Sequence, residues 1–129
     1  ETEAFNRIME AFGLPKKTDE EKEARSAAIQ AATLFATQVP LHTMQASFKV
    51  FELCKAMAEE GNPNSVSDAG VGVLAVRAAV LGAGLNVKIN ASGLKDKEKA
   101  EHLVAEANKL IAQANEAEAE IMKIVEAKL

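Results

Sequence analysis

Inside the apolar run Ser67 to Asn90, SDAGVGVLAVRAAVLGAGLNVKIN, stand a hydroxyl, a carboxylate, two cations and two carboxamides among four glycines. Asp68 can move a proton or orient a ligand, with Ser67 beside it. Asn86 and Asn90 carry side chains that both donate and accept hydrogen bonds. Arg77 and Lys88 suit an anionic ligand or a neighbouring carboxylate. Such a segment is costly, since each helical glycine loses about 1 kcal/mol relative to alanine and buried polar groups need partners. Each residue also has a plainer explanation. Ser67 and Asp68 are good residues for a helix start, where an acid complements the dipole. Asn64 and Ser65 can serve there as well, so capping alone and capping combined with a site stand as equal alternatives. Arg77 and Lys88 can snorkel to the surface. The asparagines are harder to explain, being poor interior helix residues.

These groups act together only if one element aligns them. Leu85 to Asn90 alternates apolar and polar as a strand does, and Gly82-Ala83-Gly84 can form a hairpin turn. A lone hairpin would pair poorly with the helices around it. As a helix, Asp68, Gly72, Ala75, Ala79, Gly82, Asn86 and Asn90 fall on one line. Val71, Leu74, Ala78, Leu81, Leu85 and Ile89 make an adjacent apolar face, with Gly70, Arg77, Gly84 and Lys88 roughly opposite the first line. The segment is therefore expected to be a buried central helix spanning about residues 67–90.

The flanking sequence is helical in pattern. Phe5, Ile8, Met9 and Phe12 recur at helical spacing until Gly13 and Pro15 stop the run. Thr18 and Glu21 form a capping box for a helix carrying Ala24, Ala28, Ala31 and Phe35, expected to end at Val39-Pro40. From Leu41 another helix puts Leu41, Met44, Phe48 and Phe51 in the core and ends at Gly61 and Pro63. Leu103, Ala107, Leu110, Ala114, Ala117, Ile121 and Ile124 follow alternating steps of four and three, the seam of a nearly antiparallel bundle. The expectation is all-α: an antiparallel helical bundle, one domain over residues 1–129.

Several classes of function fit poorly. The net charge of −4 over 129 residues gives no electrostatic footprint for nucleic acid. Arg77 interrupts the best candidate for a membrane span, so no membrane partner is expected. Gly70-Val71-Gly72-Val73-Leu74-Ala75 spells the dinucleotide fingerprint, but a polar turn stands where a strand is required. His42 and His102 belong to different helices with no ligand spacing, so no metal site is expected. Cys54 has no second cysteine to pair with, fits a core position, and suits a reducing cytoplasm. The sequence opens at Glu1 without methionine, which leads us to expect further residues upstream.

The stretch GNPNSVSDAGVGVLAVRAAVLGAGLNVKIN resembles the central part of the formiminotransferase-cyclodeaminase C-terminal family, which includes stand-alone bacterial methenyltetrahydrofolate cyclohydrolases. Upstream, EAFNRIMEAFGLPKKTDEEKEARSAAIQAA is similar to another block of that family, with Val39-Pro40-Leu41 following at the expected place. Family members also carry helices with a Pro-Thr-Pro-Gly-Gly-Gly segment that this sequence lacks, so it matches the C-terminal part of the domain. Where many relatives have an aromatic residue, this sequence has Gly84. The resemblance implies an all-helical homodimer that lodges a pteridine between helices and acts on the one-carbon unit bridging N5 and N10 of tetrahydrofolate. No cofactor is implied beyond the tetrahydrofolate derivative that serves as substrate. Glu1 takes the position of the family's presumed catalytic aspartate, four residues before Phe5. Given a folate, Asp68 is the acid/base or pterin-orienting carboxylate. Ser67, Asn86 and Asn90 are candidates for binding the pterin or the one-carbon group, and Lys88 and Arg77 for the anionic glutamate tail. The rival expectation is a non-catalytic bundle whose glycine line serves subunit packing.

Overall fold

The computed structural model describes residues 2–129. Glu1 lies outside the described residues. Five α-helices, joined by short connections, account for nearly all of it: α1 (Thr2–Gly13), α2 (Asp19–Phe48), α3 (Val50–Glu60), α4 (Val66–Ala91) and α5 (Lys97–Glu126). A 3-10 turn, Pro63–Ser65, leads into α4. The described residues contain no strand, so the alternating pattern at Leu85 to Asn90 belongs to a helix.

Helix starts follow local chemistry. At α2 the Glu21 amide donates to Thr18 Oγ1 at 3.1 Å, and the Thr18 amide donates to Glu21 Oε2 at 3.2 Å. This reciprocal pair satisfies two amides that a helix start leaves without partners. Asp96 caps α5 with a single bond, accepting from the Lys99 amide at 3.0 Å. The connection between α4 and α5 is fastened to α2 by Gln30. Its Nε2 donates to the Gly93 carbonyl, and its Oε1 accepts from the Lys95 amide at 2.7 Å.

One expected boundary moves. The helix from Thr18 does not end at Val39-Pro40; α2 runs through Pro40 to Phe48 and breaks at Lys49 instead. Proline has no amide to donate to the carbonyl four residues back, which ordinarily breaks or kinks a helix. Here that carbonyl, Ala36 O, accepts from Asn90 Nδ2 of α4 at 2.8 Å. Tertiary structure supplies the hydrogen bond that the helix cannot.

α4 holds the centre, packed by α2, α3 and α5. Its buried side consists of Val66, Gly70, Val73, Val80, Ala83, Gly84, Val87 and Ala91. A β-carbon on Gly84 would lie 2.8 Å from Ile111 Cδ1 and 3.2 Å from Met44 Cε; one on Gly70 would lie 3.1 Å from Val125 Cγ1. Bare backbone at these two positions lets α5 and α2 come close. Both neighbours run antiparallel to α4: on α5 Gly70 meets Val125 and Gly84 meets Ile111, and on α2 Gly84 meets Met44 while Asn90 meets Ala36. Gly82, on the line with Asp68 and Asn86, would place a β-carbon near nothing.

The apolar face of α4 that the sequence pattern picks out is the uncovered one. Val71, Leu85 and Ile89 are 65%, 68% and 70% exposed. Leu53 and Met57 of α3 are exposed as well, and so are Phe5, Met9 and Phe12 of α1, whose buried residues are Ala4 and Ala11. Periodicity reports an apolar stripe but not which stripe meets the rest of the chain. Pro63–Ala91 is also long and apolar enough, by length and composition, to cross a membrane. Arg77 alone does not remove it from that class. Its other side is nonetheless the core of this bundle, with Arg77 held by α5.

These contacts set opposite signs for two neighbouring glycines. Gly82→Ala is expected to stabilise the fold by about 1 kcal/mol through helix propensity alone. Gly84→Val should destabilise it by about 1–3 kcal/mol, because its branched methyls meet Ile111 and Met44. Urea unfolding of the two variants checks both.

Candidate functional site

The candidate residues of α4 fall into separate places. Ser67 and Asp68 lie in its exposed first turn. Neither is the N-cap, a position held by Ser65, and neither side chain makes a hydrogen bond or ion pair among the described residues. Asn62 instead organises the entry, accepting from the Asn64 amide at 3.0 Å. Arg77 points to α5: its Nε donates to Asn115 Oδ1 at 2.8 Å and lies 3.3 Å from Glu118 Oε2. Lys88 lines an open groove of about 470 Å³ between the end of α4 and the start of α5, with Lys97, Glu101 and Asn108.

Asn86 and Asn90 come together. With Phe5 and Ile8 of α1 and Ala36 and Val39 of α2, they line a cavity of about 150 Å³. Whole small-molecule sites are commonly about 300–1,000 Å³, so this one fits the edge of a ring system rather than a complete large ligand. Its walls are apolar and its polar groups are carboxamides from one helix, an arrangement that recognises through directed hydrogen bonds. Sequence reasoning found the asparagines and missed their partners. The signal available was Pro40 within a helical pattern, which leaves a carbonyl four residues earlier needing a donor.

Along α4, Asp68 and Asn86 are eighteen positions apart, which is about five whole turns, or about 27 Å of rise. They share a flank of the helix but not a site within one chain. Arg77 and Lys88 lie around the helix from that flank.

The other candidates for chemistry are quiet. Cys54 is buried, its sulfur 3.5 Å from where a β-carbon of Gly72 would be, and burial pushes its thiol up from the ordinary range. No group of three or more histidine, cysteine or acidic residues with metal-binding geometry occurs among the described residues. Lys55 and Glu120 pair at 2.6 Å between α3 and α5; their hydrogen bond raises the lysine and lowers the glutamate. That pair is exposed and serves as a surface tie.

Fold and cavity together define an all-α domain with a small amide-lined site between three helices. Matched over residues 1–127 by the family model described as formiminotransferase-cyclodeaminase, the chain belongs to that family. It is 45% identical over 129 residues to a methenyltetrahydrofolate cyclohydrolase of Methylorubrum extorquens, a match that takes in the whole chain and 62% of that protein. It is 32% identical over 126 residues to a formimidoyltransferase-cyclodeaminase of Gallus gallus, covering 98% of the chain and 23% of that protein. A formimidoyltransferase-cyclodeaminase of Dictyostelium discoideum is 34% identical over 125 residues, covering 97% of the chain and 22% of that protein. The chain thus spans about three fifths of the first relative and under a quarter of the other two.

The raised thiol predicts the behaviour of Cys54. Thiolate is the reactive form, so a group shifted upward and buried is expected to resist iodoacetamide at pH 8 in the folded protein. It should react at the rate of a free thiol once urea unfolds the chain; mass spectrometry of the timed reaction measures both.

Proposed function

We propose that the protein is a folate one-carbon enzyme acting on the N5–N10 bridge of tetrahydrofolate. The observation that carries this reading is the match over the whole of this chain, at 45% identity, to a protein named methenyltetrahydrofolate cyclohydrolase. The carboxamide-lined cavity supports it, being of a size and polarity for one edge of a pterin ring. In ring hydrolysis, water adds to the bridging carbon and the resulting tetrahedral carbon releases N5. The formyl group stays on N10; of the two water protons one passes to N5 and the other is released to solvent, which balances the positive charge of the methenyl bridge. In the related ring closure, N10 attacks a formimino carbon carried on N5 and ammonia leaves. Both need a proton moved between oxygen or nitrogen centres. Neither step calls for a metal or a covalent intermediate. Hydrolysis is favoured here because the cyclohydrolase match has the higher identity and covers more of its relative.

In this reading Asp68 moves the proton, Ser67 assists it, and Asn86 and Asn90 orient the pterin. Lys88 and Arg77 are cationic candidates for the glutamate tail, although Arg77 already holds Asn115 and Glu118. About 27 Å separates Asp68 from Asn86 on one rigid helix, so these roles meet only across two chains. We infer a homodimer built on the exposed face of α4. A two-fold axis beside Ala78, normal to the plane of two antiparallel copies of the helix, interchanges their ends but keeps each flank on its own side. Asp68 precedes Ala78 by ten positions and Asn86 follows it by eight. Asp68 of the partner subunit then comes alongside Asn86, and the arrangement occurs twice. Ala75, Ala78 and Gly82 keep the middle of the face small enough for close approach, while Val71, Leu74, Leu85 and Ile89 are covered.

Activity is followed by the absorbance of methenyltetrahydrofolate, which hydrolysis removes and ring closure from 5-formiminotetrahydrofolate creates. Loss of the band faster than in buffer is expected; no change with either substrate sinks the enzymatic reading. Asp68→Asn should lower turnover about 10²–10⁴-fold, the usual contribution of one acid/base group. Its stability should change by less than about 0.5 kcal/mol, as for a surface residue without partners. For the interface, Ala78→Arg is expected to convert a dimer to a monomer in sedimentation and to abolish activity with it. A monomeric wild-type protein with full activity contradicts the composite site.

A further inference from the structure

The one hydrogen bond that replaces α2's missing rung also determines what the cavity offers a ligand. Pro40 has no amide, and its ring crowds the carbonyl of Ala36 away from the helix axis. A backbone carbonyl in such a place needs a donor. Asn90 Nδ2 supplies one at 2.8 Å. A carbonyl oxygen only accepts, so the nitrogen end of the Asn90 carboxamide must face α2, and the usual ambiguity between its two ends is removed. Asn90 and Ala36 both line the cavity. Asn90 Oδ1 accepts no hydrogen bond among the described residues.

We propose that Pro40 is a positioning residue for this cavity: by freeing the Ala36 carbonyl it fixes the Asn90 carboxamide, leaving Oδ1 as the acceptor for an N–H donor of the bound ligand. The specificity that follows is for a heterocycle edge carrying N–H groups, such as the ring N–H and exocyclic amine of an aminopyrimidinone. The ligand class rests on the folate reading above; the link between Pro40 and Asn90 does not. Restoring an amide at position 40 gives Ala36 O its ordinary helical partner. Asn90 then loses its exclusive claim on that carbonyl, and its carboxamide is free to turn. A purely structural role for Pro40 predicts a changed unfolding midpoint and an unchanged site.

The test is titration calorimetry of tetrahydrofolate binding to the wild-type protein, Pro40→Ala, Asn90→Ala and the double variant. Pro40→Ala is expected to weaken binding about three- to ten-fold, the range for a displaced neutral hydrogen bond. Asn90→Ala should weaken it at least as much. In the double variant the proline change should add nothing, because contacting residues acting through one bond are non-additive. Unchanged binding in Pro40→Ala, or an independent further loss in the double variant, overturns the proposal. Asn90→Asp tests the same bond without touching α2: it keeps acceptor oxygens but cannot donate to Ala36. It should bind as weakly as Asn90→Ala, and wild-type affinity in that variant counts against the proposal. Hydrogen exchange of the Asn90 side-chain amide, read by NMR without ligand, should be faster in Pro40→Ala. If exchange does not change, the coupling is refuted. If exchange responds but the wild-type protein does not bind tetrahydrofolate, the coupling stands, while the folate reading and the ligand assignment fall.

Discussion

Everything in this bundle is arranged around a helix that is apolar on nearly every side yet is covered on one. α4 gives Val66, Val73, Val80, Val87 and two of its glycines to the core, where Gly70 and Gly84 let α5 and α2 approach closely. Packing to crystal-like density at these contacts is what fixes the helix axis. The opposite stripe remains open to solvent. Each methylene left there forgoes about 0.8 kcal/mol of burial, and a contiguous apolar surface of this kind marks an interaction site more often than an ordinary monomer surface.

The second constraint is how a thirty-residue helix passes a proline without ending. α2 runs along the C-terminal part of α4, from Asn90 beside Ala36 to Gly84 beside Met44. A break at Pro40 would separate the part that meets the cavity from the part that fills the core. Asn90 prevents this from the neighbouring helix. Thr33 and Thr37 return their hydroxyls to the carbonyls of Ile29 and Thr33, each at 2.8 Å, so the buried polar groups of this face are satisfied internally. Such back-bonding bends helices slightly, and it falls on the stretch just before the proline.

Much of this was legible in residue order. The Thr18–Glu21 box, the stop at Gly61 and Pro63, the seam of α5 and the helical state of residues 67–90 all follow from local rules, and the structure agrees with each. What local rules miss is tertiary. Pro40 reads as a terminator because its rescuing donor lies fifty positions away in sequence. The stripe of Phe5, Met9 and Phe12 reads as apolar, but α1 is short and docks through Ala4 and Ala11, whose small side chains sit close to α2. Helical spacing sets Gly70 and Gly84 opposite Gly72 and Gly82, but which pair lies against another helix is settled only by the neighbours. In the site, Asn86 and Asn90 were legible as misplaced amides, whereas their remoteness from Asp68 required only counting turns along a helix already assigned.

That count links the fold to the chemistry. A straight helix is the worst element on which to gather distant groups and the best on which to repeat a flank, since positions five turns apart share one azimuth. The first property keeps Asp68 and Asn86 apart within one chain, and the proposed dimer uses the second. In the proposed dimer a second antiparallel copy exchanges along-axis position while conserving flank, and the exposed stripe lies about a quarter-turn round the helix from that flank. The apolar surface and the dispersed polar groups are then one requirement. In that proposal the face must be uncovered within the chain so that the carboxylate of one α4 can reach the carboxamides of another.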